Sequence, residues 1–161
     1  MGMYMKIEGI EGESTQKEHE KWIDLQAMQV SFANAGGGMP NSSGGRSGGE
    51  GVCNEISVSF PGCSALPTIA KYCLTGTTVT TIEIESVTAS KGQVKYSTWK
   101  LTDCAFSSYS ISDTGLGLGD VSVSLSISYT KFEFKATPIS DKGEAGSSVE
   151  LKYDVAQNAP E

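Results

Sequence analysis

Basic runs are missing from this sequence, and that absence excludes a whole class of partners. The formal net charge is −7, and no cluster of Lys and Arg interleaves with aromatic residues. Binding to nucleic acid through its phosphates needs such clusters, because counterion release supplies most of that affinity. Attachment to anionic lipid is disfavoured for the same reason. Long apolar runs are missing too, so no segment reads as a membrane-crossing helix. Residues 1–12 hold neither a basic n-region nor an unbroken apolar stretch, so no secretory leader is expected. Such a chain is expected in the cytoplasm unless a dedicated machine exports it.

Metal-ligand and redox spacings are scarce as well. The four cysteines are Cys53, Cys63, Cys73 and Cys104, no two forming a CxxC pair, and the one histidine is His19. A zinc site would need widely separated thiolates. Two disulfides could form in an oxidising compartment, but without a leader free thiols are the expectation. The glycine-rich stretch from Ala35 to Gly51 carries no Lys-Ser or Lys-Thr step, and a strand pattern follows it, so it fails as a phosphate loop. Gly115-Leu116-Gly117-Leu118-Gly119 has the wrong spacing for a dinucleotide fingerprint and reads as a turn. No Gly-x-Ser-x-Gly elbow accompanies His19. Its charged neighbours, Lys17-Glu18 and Glu20-Lys21, point to an exposed, hydrogen-bonding histidine. Glu83 and Glu85 share one strand face and read as its solvated side. Asn41-Ser42-Ser43 is formally a glycosylation sequon but carries little weight without a leader. No catalytic residue, cofactor site or metal site is assigned.

What the sequence does have is period-two alternation. Val121, Val123, Leu125, Ile127 and Tyr129 alternate with Ser122, Ser124, Ser126 and Ser128, which predicts a strand with one apolar face and one hydroxyl face. The pattern slips by one at Thr130-Lys131 and resumes at Phe132 and Phe134. Similar slips follow Ala27 and Tyr96. A one-residue slip turns the core face outward unless the chain compensates, and a β-bulge is the economical device. Three slips predict a curved sheet or barrel. Shorter alternating pieces lie at Met3–Ile7, Ile56–Phe60, Ile82–Ile84 and Val149–Val155.

One segment follows helical spacing: Leu66, Ile69, Ala70, Cys73 and Leu74. Ser64 reads as its N-cap, Pro67 sits in the first turn and Gly76 reads as the residue that ends it. A helix over about residues 65–75 is expected, with Cys73 buried on its apolar stripe. The length of 161 residues fits one domain spanning 1–161. Residues 35–51 hold almost no apolar side chain and read as a long loop, which in a compact domain is usually functional or disordered.

Several segments together resemble the haemolysin-coregulated protein (Hcp) family of type VI secretion. They are Lys6-Ile7-Glu8-Gly9 through Gly12-Glu13-Ser14, with His19 and Trp22-Ile23-Asp24-Leu25 after them. The glycine-rich loop, Ile56–Phe60, the helix with Thr81–Ile84 after it, the serine-faced strand and Tyr153–Asn158 complete the set. The resemblance covers essentially the whole chain. It implies a mainly β fold, a small β-barrel of two packed antiparallel sheets with one short helix. It further implies a structural, non-enzymatic subunit that forms homohexameric rings, stacked into a secreted tube that carries or chaperones effectors. The implied partners are other copies of the chain, a tip spike protein, a contractile sheath and effector cargo. The machine would also supply the export route, from the bacterial cytoplasm before firing to the extracellular space or a target cell.

Within that frame Met39, Pro40, Asn41, Ser42, Ser43 and Arg46 are expected at a ring or stacking interface. Ser122, Ser124, Ser126 and Ser128 are expected to form a channel wall or a subunit seam, against the alternative of an ordinary solvated face. A monomeric binding β-sandwich and a small β-barrel hydrolase stand as the other functional readings.

Overall fold

The structure is a computed structural model that describes residues 2–34, 51–89 and 93–161. Its strands are β1 (Gly2–Ile7), β2 (Ile23–Leu25), β3 (Ala27–Gln29), β4 (Phe32–Asn34), β5 (Gly51–Cys53) and β6 (Ile56–Pro61). After helix α1 (Leu66–Thr75) come β7 (Val79–Val87), β8 (Lys95–Ser112), β9 (Ser122–Ser128), β10 (Lys131–Ala136), β11 (Val149–Asp154) and β12 (Ala159–Pro160). The protein is mainly β, as its alternation predicts.

Two antiparallel layers share the long strand β8. One runs β12-β11-β10-β8-β7-β1-β2, and the other β3-β6-β9-β8. The first half of β8 pairs with β7 and β10. Its second half, from Ala105, pairs with β9. Asp103, at φ 50°, marks the place where β8 leaves one layer for the other. The strands do not close into a continuous ring, because β2 and β12 end the first layer and β3 ends the second.

Two of the three pattern slips turn out to be corners rather than bulges. The apolar face switches at Gln26 because β2 belongs to the first layer and β3 to the second. It switches again at Tyr129-Thr130 because β9 and β10 lie in different layers. A strand that changes layers must present its other side to the same core, so the one-residue shift in pattern is the compensation. The third slip is an irregularity as expected. Ser86 faces Ser97 and Val87 faces Lys95, which leaves Tyr96 as the extra residue.

Between the layers lies an apolar core. Met5, Ile7, Ile82, Ile84 and Leu101 come from one side, and Ile56, Val58, Phe60, Leu125 and Ile127 from the other, all almost completely buried. Burying each such side chain contributes roughly 1.5–3 kcal/mol. An aromatic cluster closes one end, with Trp99 stacked on Phe134 at 4.1 Å and Phe132 stacked on Tyr153 at 5.8 Å.

α1 covers another side of this core through Leu66 and the fully buried Ile69. Its N-cap is Ala65, not Ser64, and no side chain caps it. The backbone N–H of Ser64 instead donates to Glu13 at 3.2 Å. Gly76 ends the helix at φ 67°, a left-handed conformation that costs a Cβ-bearing residue more. The apolar stripe is shorter than its spacing implied. Cys73 is half-buried, and Leu74 is 87% exposed. Tyr72 makes the packing contact there, stacked on Phe106 at 6.4 Å.

Candidate functional site

The two layers turn opposite chemistries outward. On β9 the inward residues Val123, Leu125 and Ile127 are fully buried, so strand geometry forces Ser122, Ser124, Ser126 and Ser128 to the other side. The register then extends this hydroxyl face across three strands. Ser57 of β6 and Ser108 of β8 flank Ser126, while Ser59 and Ser110 flank Ser124. Pro61 and Ser112 flank Ser122. Gln29 and Ala27 of β3 continue the first two rows.

These serines are half-buried or exposed. Neighbours sit about 4.8 Å apart across strands and about 7 Å apart along them. Among the described residues the hydroxyls of the three flanked rows engage no protein group. Ser128, beyond the rows, donates to the Ala105 carbonyl at 3.2 Å. A groove of about 380 Å³ runs along the β3 side of this face, lined among others by Gln29, Ser57, Ser59 and Ser124.

The other layer presents charge. Lys6, Glu83, Lys100, Glu133 and Lys152 stand in one row across β1, β7, β8, β10 and β11, with their signs alternating. Lys152 and Glu133 approach to 3.9 Å. One row further along, Lys131 pairs with Asp154 at 3.6 Å and with Glu161 at 3.1 Å. Opposite charges facing each other across strands stabilise a sheet by about 0.2–1 kcal/mol per pair. An open groove of about 290 Å³ lies between Lys6, Glu8, Thr81, Glu83 and Lys100. Its walls are the solvated charges of this ladder.

Part of the charged face is roofed over. The segment between β1 and β2 folds back across it and buries His19 to 1% exposure. The imidazole stacks on Tyr4 at 4.4 Å and meets Trp22 edge-on at 4.8 Å. Its Nε2–H donates to Glu85 at 2.7 Å, and Lys95 reaches the same carboxylate at 3.1 Å. Two expectations are corrected here. His19 is not exposed, despite its charged neighbours, because those neighbours point away while its ring fills the roof. Glu85 is not on a solvated side, since it is 9% exposed beneath that roof, whereas Glu83 stays half-exposed. Around His19 the structure gathers packing partners for a loop, in keeping with a structural histidine.

A third feature is an apolar patch. Phe32 and Val52 on the β4–β5 hairpin are about half exposed, and Val149 and Leu151 on β11 are exposed as well. Phe32, Val52, Leu151 and Tyr153 line one shallow pocket of about 160 Å³. In sequence, the glycine-rich stretch lies between the two strands of this hairpin. The loop residues expected at an interface, Met39, Pro40, Asn41, Ser42, Ser43 and Arg46, lie outside the described residues.

The cysteines are unpaired; Cys63 and Cys104 are buried. Burial pushes the Cys104 thiol up to about 12, and the nearby Asp103 adds to the shift. Among the described residues no cluster of His, Cys, Asp and Glu could hold a metal ion. Nor is any described helix long and apolar enough to cross a membrane.

Of the predicted site residues, the structure brings the four serines onto one face and joins others to them. Ser57, Ser59, Ser108, Ser110, Ser112 and Gln29 were missed by the sequence reading. The alternation in Ile56-Ser57-Val58-Ser59-Phe60 and in Ser108-Tyr109-Ser110-Ile111-Ser112 was the available signal.

Comparison with known proteins gives this arrangement a family. The family model described as "Type VI secretion system effector, Hcp" matches residues 4–135. Among solved structures, a type six secretion system protein superposes with a TM-score of 0.93 at 22% identity, covering 99% of each chain. Hcp1 from Salmonella typhimurium gives 0.76 at 17% identity, covering 99% of this chain and 97% of its own. A type VI secretion system effector from Yersinia pestis gives 0.74 at 21% identity, covering 95% and 99%. Among curated protein sequences nothing matches. With the family match spanning most of its residues, the chain belongs to the Hcp family of the type VI secretion system.

Proposed function

We propose that this chain is the structural subunit of the secretion tube, acting without catalysis. Six copies close a ring, rings stack, and the channel so formed carries or chaperones effectors. The observation that carries the reading is the family match over residues 4–135, joined to two surfaces of opposite chemistry. A ring built from heterologous contacts needs one face toward the channel and another outward. The neutral serine grid suits the channel wall, and the charge ladder suits the solvated outside. The exposed apolar patch of Phe32, Val52, Val149 and Leu151 suits a seam between copies, since such patches on an isolated subunit mark interaction sites.

On sequence grounds the loop with Met39, Pro40, Asn41, Ser42, Ser43 and Arg46 reaches a neighbouring subunit or ring. A tip spike and a contractile sheath are the remaining partners, and the subunit is exported with the tube. Electron microscopy of the purified full chain tests this. Rings with the β9 face toward the hole are expected. Rings with the charge ladder inside would overturn the orientation, and a field of single subunits would overturn the reading.

A further inference from the structure

Resting on that reading, we infer that the serine grid is a charge-indifferent wall. It takes polypeptide cargo through uncharged hydrogen-bonding groups: Ser, Thr, Asn and Gln side chains and exposed main chain. Three observations carry this. The three rows hold eight serines with Gln29 at one edge, and no charged side chain enters them. Among the described residues carboxylates appear only near the ends, at Glu55, which accepts from Ser107, and at Asp113 and Asp120 on the β8–β9 turn. The hydroxyls are unengaged, so each retains a donor and two acceptor lone pairs for a partner.

The outer face of the other layer is the contrast. The chain carries −7 overall, and its other layer places a charge on every strand of one row. Against a neutral wall neither acidic nor basic cargo is repelled or trapped. A hydroxyl contact exchanges readily with water, so it nets little on its own and is given up easily. Several in register along the groove beside β3 make a weak, reversible site. Such contacts do not depend on ionic strength, unlike exposed charge pairs, which salt screens.

The test uses assembled full-length chain and a labelled, zero-net-charge peptide rich in Ser, Asn and Gln. Retention is read by sedimentation at about 50 mM and about 500 mM NaCl, a range over which exposed charge contacts are largely screened. Wild-type assemblies are expected to retain the peptide with less than about a twofold change across that range. The combined Ser59→Ala, Ser110→Ala and Ser124→Ala variant is expected to lose at least about fivefold, because the donors and acceptors are gone. Ser124→Asp is expected to create salt-sensitive retention of a Lys-rich peptide. No retention by the wild type, retention that collapses with salt, or an alanine variant equal to the wild type overturns this inference while leaving the tube reading intact. Single subunits in the same sedimentation run overturn the tube reading and this inference together.

Discussion

Replacing His19 with alanine should destabilise the fold out of proportion to the few atoms removed. The ring is 1% exposed, and its Nε2–H donates to the Glu85 carboxylate at 2.7 Å. A hydrogen bond to a charged group contributes about 1.5–3 kcal/mol. The Tyr4 stack and the Trp22 edge contact add about 0.5–1.5 kcal/mol each. These contributions overlap, so the expected loss is about 3–4 kcal/mol. At 2–4 °C per kcal/mol for a chain of this size, that lowers Tm by roughly 10 °C. Lys95 is the control, since it touches the same carboxylate from a 43% exposed position. Its removal should cost at most about 1 kcal/mol. Urea denaturation followed by tryptophan fluorescence reads both variants, and Trp22 lies beside the altered site. If His19→Ala costs no more than Lys95→Ala, the roof over Glu85 is not held as described.

Cys104 should stay unreactive toward thiol reagents at pH 8 in the native chain and label fully once unfolded. A thiol pushed up to about 12 holds only about one thiolate in ten thousand at that pH. Mass mapping of the labelled cysteines checks this. The same shift means that stability is unaffected by this group below about 9, the ordinary thiol value. It then falls as pH climbs from 9 toward 12, because the unfolded chain releases the proton first. Gly62→Ala should destabilise the fold and loosen the β8–β9 turn, since a Cβ there runs into the Leu118 carbonyl oxygen and the Val121 side chain. Hydrogen exchange at Asp120 and Val121 reads that loosening. Gly76→Ala should cost about 1 kcal/mol from its φ of 67° alone, measured by thermal unfolding, because open space surrounds its position.

Much of the fold could be read from periodicity. The serine strand, the helix over Leu66–Thr75 and the glycine that ends it are local patterns, and local patterns survive into the structure. Two of the slips were visible but their meaning was not. A bulge and a change of layer both shift the pattern by one residue, and only the pairing of β2 with β1 and of β3 with β6 separates the two. His19 was misplaced for a related reason. Its charged neighbours describe the surface of the roof, while the Glu85 beneath lies 66 residues away in sequence. The hydroxyl face was read one strand at a time, and its extent emerged only when the register set β6 and β8 beside β9. The alternation of Val149, Leu151 and Tyr153 marks a strand without telling how deeply it lies, and Val149 is 73% exposed. β11 lies near the edge of its layer, and no described element covers that part of it.

The account turns on whether this chain closes rings with copies of itself. Native mass spectrometry of the full chain at high protein concentration measures that directly. A species of six times the single-chain mass is the predicted result. A strict monomer at every concentration would contradict the account and would favour a binding β-sandwich that works alone.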